Sequence, residues 1–335
     1  MDDVWDSLVI GGGAAGLSAA LVLGRARRRV LVIDAGEQSN RFTHGIGGLL
    51  GHNEKPPAEL YAAGRAEVLA HPTTQILDGV VSGATPIDGA ADHASAGGAK
   101  AGPGSGRGAA DLPPRFALTT AAGDALRART VILATGMDYA YPQLPGFAER
   151  WGRSVFHCPF CHGWEVRGQP LAVLGDGPGA VHRALLLRAW SDNVTVYLAS
   201  GDGSQPPADG LTPEQEAQLL AGGVQIERTP VLGVDGPGTS AAELQLADGS
   251  TRACGGVLIA ITLRQRSPLA QQLGAQLAEP GMVARDAVAV DQRQTTSVPG
   301  LFAAGDVSTQ MPQISSAVST GVTAAAAAVG HLMAL

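Results

Sequence analysis

Cysteine is scarce: Cys158, Cys161 and Cys254 are the three in 335 residues. Such sparing use excludes a disulfide-stapled secreted scaffold and fits a reducing compartment in which only a closely spaced pair has a task. Basic residues are short as well, 23 Lys and Arg against 30 Asp and Glu, for a formal charge of −7. An acidic surface has no attraction for nucleic acid or anionic membrane, so neither is expected as a partner. The opening Met1-Asp2-Asp3-Val4-Trp5-Asp6 lacks the basic start of an export signal, and glycines break the apolar residues behind it. A cytoplasmic location is the expectation. The alanine-rich run Gly321 to Leu335 is short for a bilayer and carries His331, so it reads as a packed helix.

What is present is glycine at strand ends. The apolar stretch Ser7-Leu8-Val9-Ile10 leads into Gly11-Gly12-Gly13-Ala14-Ala15-Gly16 and then into a helical run from Leu17. In that setting Gly11 permits a tight turn, Gly13 lets the backbone approach a pyrophosphate, and Gly16 allows close helix–strand packing. The helix N-terminus there, with Ala14 and Ala15, offers N–H groups and partial positive charge to phosphates. A second strand, Val30 to Ile33, ends in Asp34. An acid about 20 residues beyond the glycines accepts hydrogen bonds from an adenosine ribose.

The glycine-rich loop Arg41 to Glu54 can lie along an extended cofactor, with Arg41 and Asn53 as candidate contacts; Val81, ending an expected strand Thr74–Val81, is another. A helix is expected over Tyr61–Ala70. From Gly83 to Pro114 the composition falls to Gly, Ala, Ser, Asp and Pro, which bury no face, so 83–114 reads as a flexible insertion. Order resumes at Arg115-Phe116-Ala117-Leu118, turns at Gly123-Asp124 and closes in a strand ending Ala134-Thr135-Gly136. The hairpin around Asp248-Gly249 and the strand Val257–Thr262 repeat that arrangement, and Gly175-Asp176-Gly177-Pro178-Gly179-Ala180 repeats the glycine turn. The chain therefore holds two related nucleotide-binding units, the second inserted into the first.

No arginine cluster follows the second unit's second strand, Asn193–Leu198, to grip a 2′-phosphate, and no acid ends it. Either this nicotinamide site is degenerate or Arg183, Arg188 or a loop residue substitutes. Near the C-terminus an apolar strand, Thr296 to Asp306, ends in Gly305-Asp306, and Gln313-Ile314 open the last helix. A carboxylate after glycine suits a flavin's ribityl chain, and a helix N-terminus stabilises negative charge on a reduced flavin. Thr212-Pro213-Glu214-Gln215 is a capping box. Cys254, without a partner, reads as a buried spectator.

Immediately before the second glycine turn stands Phe156-His157-Cys158-Pro159-Phe160-Cys161-His162-Gly163-Trp164-Glu165. Two cysteines two residues apart can close a small redox ring, and His162 beside them can move the proton that thiol chemistry sheds. Zinc is disfavoured because no second Cys-x-x-Cys completes a tetrahedron, and a structural disulfide because no export signal is found.

These motifs, in this order, resemble low-molecular-weight thioredoxin reductases over nearly the whole chain outside 83–114. The resemblance implies an α/β fold of two Rossmann-like three-layer nucleotide-binding domains. It implies an FAD domain of 1–138 and 263–335 and an inserted NAD(P)-binding-like domain, 139–262, carrying the redox pair. FAD is expected on Gly11, Gly13, Ala14, Ala15, Gly16, Asp34, Ala134, Thr135, Gly136, Gly305, Asp306, Gln313 and Ile314, and NADPH at Gly175, Gly177 and Ala180. Cys161 is implied to face the flavin and Cys158 the substrate, a thioredoxin-like protein or a small dithiol or disulfide, in a homodimer. Cys-Pro-Phe-Cys-His departs from the usual aspartate after the second cysteine. It resembles instead the branch with the dithiol oxidases that close gliotoxin and holomycin, in which oxygen reoxidises the flavin. A non-catalytic flavin redox sensor is the reading from another class.

Overall fold

The computed structural model describes residues 4–87, 113–175, 177–198 and 210–334. In chain order come β1 (Val4–Ile10), α1 (Ala14–Arg25), β2 (Val30–Asp34), α2 (Pro57–Leu69), β3 (Thr74–Asp78), β4 (Val81–Pro86), β5 (Phe116–Thr120) and β6 (Ala125–Leu133). Next are β7 (Met137–Ala140), α3 (Phe147–Arg150), β8 (Val155–Phe156), α4 (Pro159–His162), β9 (Leu171–Leu174), α5 (Gly177–Leu187), β10 (Val194–Tyr197), α6 (Pro213–Ala221) and β11 (Val224–Glu227). The chain closes with β12 (Val231–Asp235), β13 (Ala242–Leu246), β14 (Thr251–Cys254), β15 (Gly256–Ile259), β16 (Thr262–Gln265), α7 (Leu269–Gln272), β17 (Leu301–Ala303) and α8 (Ile314–Ala334). It forms two compact units: Met1–Ser39, Ala58–Asp138 and Leu263–Leu335 in one, Asn40–Pro57 and Tyr139–Thr262 in the other. Asn40–Pro57, assigned with the first unit on sequence, groups with the second.

In the first unit the sheet order is β3-β2-β1-β6-β5-β4, with β17 also on β6. The strands β3, β2, β1, β6 and β17 run parallel, while β4, β5 and β6 are antiparallel neighbours. Parallel strands covered on both faces read as unbroken apolar runs, and every residue of β2 is buried. The expected strand Thr74–Val81 is two strands, because the chain turns at Gly79, whose N–H donates to the Asp34 carbonyl (2.8 Å). Gly83 to Pro86, read as the edge of the insertion, belong to β4 and pair with β5; residues 88–112 lie outside the described residues. The expected strand Thr296–Asp306 shrinks to Leu301–Ala303, since the chain turns at Gly300 (φ 84°), where Leu301 N–H meets the Val298 carbonyl (3.0 Å).

Helix α8 starts at Ile314, where the sequence placed the opening of the last helix, and is long and apolar enough, by length and composition, to cross a bilayer. Its small residues explain the composition otherwise. A Cβ on Gly321 would lie 2.2 Å from the Ala15 carbonyl oxygen, and Ala317, Ala324, Ala325 and Ala328 share one core with Ala19 and Ala20 of α1. Small side chains let the two backbones approach, so alanine here marks a helix–helix seam.

The second unit has a parallel sheet of order β11-β10-β9-β15-β8 and an antiparallel sheet β12-β13-β14. The hairpin β13–β14 corresponds to β5–β6, but Gly255 divides β14 from β15 where β6 is continuous. Thr212 caps α6 as expected: its hydroxyl accepts from Gln215 N–H (3.3 Å) and Gln215 Oε1 accepts from Thr212 N–H (2.9 Å). Burial pushes the Cys254 thiol up to about 12, as suits a spectator.

Candidate active site

The first unit's candidate residues gather at the C-terminal ends of parallel strands, where open α/β sheets bind ligands. Gly11 follows β1 with φ 113°, and a Cβ there would meet the Ala134 carbonyl oxygen at 2.1 Å, so the turn abuts the end of β6. A Cβ on Gly16 would sit 1.8 Å from the Gly11 carbonyl oxygen. Gly13 differs: nothing lies within 4 Å of its Cβ position. It is also the N-cap of α1, with no side-chain cap, which leaves the first helical N–H groups for a ligand. Asp34 is buried at the end of β2 and accepts from Gly12 N–H (3.2 Å), Gly36 N–H (2.9 Å) and Arg65 (2.7 Å). Arg65 also holds Asp78 (2.6 Å). Val81 opens β4, next to the Gly79 turn that bonds Asp34.

Thr135 and Gly136 continue from β6, where Gly136 takes φ 68°. Gly305, at φ 80°, donates its N–H to Thr320 Oγ1 (3.0 Å), and Asp306 follows in a short 3-10 turn after β17. Gln313 and Ile314 stand at the start of α8, where the Gln313 carbonyl accepts from Ala317 N–H (2.9 Å). An open glycine position, an uncapped helix start and a buried acid at the next strand end fit the pyrophosphate and ribose of FAD. Arg41 and Asn53 are placed differently, in Asn40–Pro57 of the second unit. There the Arg41 guanidinium covers the Phe42 ring (4.3 Å), and Asn53 Oδ1 accepts from Gly48 N–H (3.0 Å).

In the second unit β8 delivers the chain to Cys158, the extended N-cap of the one-turn helix α4, with Pro159 at its first position. Proline suits that position because its missing N–H would have had no helical partner. Cys161 N–H donates to the Cys158 carbonyl (3.2 Å), closing the Cys-x-x-Cys turn. Cys158 is buried and Cys161 half-buried.

His162 Nε2 lies 3.2 Å from the Gly152 carbonyl oxygen, which can only accept, so Nε2 carries the hydrogen of the neutral ring and the buried Nδ1 keeps the lone pair. Its ring stacks on Phe156 (5.3 Å, 13°). Burial pushes its pKa below the ordinary 6.5, opposed by the carbonyls of Gly152 and Cys158 and by Glu165. A neutral imidazole that keeps one ring lone pair can act as a base. His157 is a residue the sequence reading passed over. It stacks on Trp151 (5.6 Å) beside Tyr139 (5.2 Å), and Trp151 stacks in turn on Tyr141 (4.4 Å). The residue is half-buried, but Nε2 is shut away, and burial with His162 nearby pushes the pKa down to about 3. On the outer side Phe160 (63% exposed) stands edge-on to Trp190 and Trp164 (58% exposed) lies under Arg167.

Behind the dithiol, Gly175 (φ 141°) and Gly177 (φ 61°) form the second turn, and Ala180 is buried within α5. Gly177 has nothing within 4 Å of its Cβ position, and the Arg183 guanidinium lies against the turn, 3.0 Å from the Cβ position of Gly175. Arg188 is spent elsewhere, on the carbonyls of Gly222 and Ser191 (3.0 Å each) and on Asp192 (3.2 Å). The stretch after β10, residues 199–209, lies outside the described residues.

Two glycine-turn units, one interrupting the other and carrying a Cys-x-x-Cys ahead of its own turn, define a dithiol-bearing dinucleotide oxidoreductase. The family model for pyridine nucleotide-disulphide oxidoreductases matches residues 5–321. Thioredoxin reductase tcpT of Claviceps purpurea (strain 20.1) is 31% identical over 340 residues, 99% of this chain and 95% of that one. Thioredoxin reductase sirT of Leptosphaeria maculans is 31% identical over 333 residues, 96% of this chain and 92% of that one. Among solved structures, an oxidoreductase from Agrobacterium tumefaciens aligns with a TM-score of 0.81 at 33% identity, covering 98% of each chain. The chain belongs to the pyridine nucleotide-disulphide oxidoreductases, in their thioredoxin reductase-like branch, and is a disulfide oxidoreductase.

Proposed function

We propose that this enzyme uses FAD, held by the first unit, to exchange electrons between the Cys158–Cys161 pair and a second redox partner, and that Cys158 exchanges with a dithiol or disulfide substrate. The observation that carries the reading is the closed Cys158–Cys161 turn at the end of β8, with His162 next in the chain and its Nε2 held on the Gly152 carbonyl (3.2 Å). FAD, when bound, supplies a two-electron acceptor and donor.

The protein's own steps are thiol–disulfide exchange. In the reducing direction the Cys158 thiolate attacks one substrate sulfur, the substrate disulfide breaks, and the departing thiolate takes a proton. The Cys161 thiolate then attacks Cys158, releases the second substrate thiolate and closes the Cys158–Cys161 disulfide. His162 Nδ1 accepts the Cys161 proton. In the oxidising direction each step reverses, and His162 takes the proton of the substrate dithiol.

Two second partners stand open. NADPH on Gly175, Gly177 and Ala180 is supported by the open Gly177 and by Arg183 against the turn. Oxygen, with a small dithiol as substrate, is supported by the commitment of Arg188 to Gly222, Ser191 and Asp192, which leaves it no role on a 2′-phosphate. Exposed Phe160 and Trp164 give either substrate an apolar landing beside the pair. A homodimer in the cytoplasm, acting on a thioredoxin-like protein, completes the reductase version.

Anaerobic stopped-flow reduction separates them. Rapid flavin bleaching by NADPH supports the reductase, and bleaching by dithiols alone supports the oxidase. Bleaching by neither, with no turnover on any dithiol, refutes both and leaves a redox sensor.

A further inference from the structure

Asn40–Pro57 closes on itself. Ile46 N–H donates to the Lys55 carbonyl (3.0 Å), Glu54 N–H to the Ile46 carbonyl (2.8 Å) and His52 N–H to the Leu49 carbonyl (2.9 Å). Ile46 is buried, while Leu50 at the tip is 99% exposed. Within the second unit this strap meets the dithiol machinery at two points.

The first is Gly47. A Cβ there would lie 2.5 Å from the Cys161 carbonyl oxygen and 2.9 Å from the Cys161 Cα. Both are backbone atoms that no side-chain rotation moves aside, so the strap lies flush on the peptide of the reactive cysteine. Gly48 and Gly51 serve a different end: their φ angles are 77° and 81°, and their Cβ positions meet nothing within 4 Å. They make turns, whereas Gly47 makes a contact.

The second point is Gly152, whose carbonyl receives the His162 Nε2–H. Its Cβ position lies 3.2 Å from Thr43 Cγ2. The adjoining Arg153 donates Nε to the Phe42 carbonyl (3.1 Å) and Nη1 to Thr239 Oγ1 (2.8 Å). The strap thus supports the carbonyl that sets the tautomer of the base.

We propose that the strap is a positioning element of the dithiol site, with Gly47 seating Cys161 and the Phe42–Thr43 edge, through Gly152 and Arg153, fixing His162. The proposal rests on Cys161 and His162 being the reactive pair. A surface loop with no such task has no reason to exclude a methyl group at Gly47 by contact with Cys161 and, at the same time, to brace the carbonyl that orients the adjacent histidine. A displacement of about 1 Å at a reacting group is enough to cost roughly a hundredfold in rate.

The test uses the full-length FAD-loaded enzyme and dithiothreitol as the dithiol, with the variants Gly47→Ala and Leu50→Ala. G47A is expected to keep its FAD, to lose roughly 10–100-fold in kcat with KM little changed, and to alter the alkylation rate of Cys161 by iodoacetamide. L50A is expected to match the wild type in all three. Wild-type kcat and alkylation in G47A overturn the proposal, and so does an equal loss in L50A, which would trace the effect to loop integrity.

If G47A does not fold, Arg153→Gln decides through the histidine. ¹⁵N NMR is expected to show His162 as the Nε2–H tautomer in the wild type and a mixed population in R153Q; an unchanged tautomer together with unchanged kcat overturns the proposal. Cys161→Ser separates the two possible failures. Full turnover in C161S sinks the reading of the site itself, whereas loss in C161S beside none in G47A sinks the strap alone.

Discussion

The imidazole of His157 gives the second unit a definite sensitivity to acid. In the native state burial, with His162 adding to it, holds its pKa at about 3, against 6.5 for a free imidazole. Above pH 6.5 both folded and unfolded chains carry it neutral, and it contributes nothing to the pH dependence. Below 6.5 the unfolded chain takes up the proton that the native chain refuses, so stability falls as pH falls. At about 1.4 kcal/mol per pH unit the loss reaches about 2 kcal/mol at pH 5, and it levels off only when the native ring also titrates. Any native pKa below about 4 gives nearly the same figure at pH 5. His157→Phe keeps a flat ring against Trp151 and Tyr139 but removes the titration. Urea unfolding followed by tryptophan fluorescence at pH 8 and pH 5 should show the wild type losing about 2 kcal/mol more than H157F. An equal loss in the two proteins would mean that the ring nitrogen is hydrated and free to protonate, and the reasoning would be wrong.

Other perturbations follow from the same geometry. Gly13→Ala should fold, since its Cβ meets nothing, but the methyl enters the phosphate-facing space, so FAD affinity measured by flavin fluorescence should fall about tenfold or more. Gly16→Ala drives a methyl into the Gly11 carbonyl and should yield colourless or insoluble protein; a yellow G16A speaks against the cradle. His162→Gln should lower kcat/KM for dithiols by roughly 10²–10⁴-fold. It should also erase an acid limb lying below pH 6.5, because the base works only when neutral and burial lowers its pKa. A limb above that value would contradict the assignment. Thr212→Ala should cost about 1 kcal/mol of stability through the lost cap of α6, with kcat unchanged.

The glycine turns, Asp34 and the Cys-x-x-Cys were legible in the sequence because each is a local device: a turn, a strand end or a helix start dictates its residues directly. The nested units were legible too, since the same order of devices occurs twice. The role of Asn40–Pro57 was not, because the Gly47–Cys161 contact joins residues far apart in the chain and glycine in a loop ordinarily means only a turn. Its one clue was density: four glycines between Gly45 and Gly51, of which Gly48 and Gly51 take positive φ. The stack of Tyr141, Trp151 and His157 escaped notice because its members stand on the connections around β7, α3 and β8 and share no helix or strand period. The strand expected over Thr74–Val81 failed on a single residue, Gly79, whose N–H was needed by the end of β2. Where alanine runs suggested only a packed helix, the partner helix α1 supplied the reason.

The central claim is that Cys158 and Cys161 form the redox centre of a flavin enzyme. Its most direct test is differential alkylation with mass spectrometry on the yellow, air-oxidised protein before and after anaerobic reduction by dithiothreitol, run beside Cys158→Ser and Cys161→Ser. The account predicts one disulfide, Cys158 to Cys161, opening to two alkylatable thiols with no change at Cys254, and FAD retained but turnover abolished in both variants. A pair that never interconverts, or either variant turning over at the wild-type rate, contradicts it.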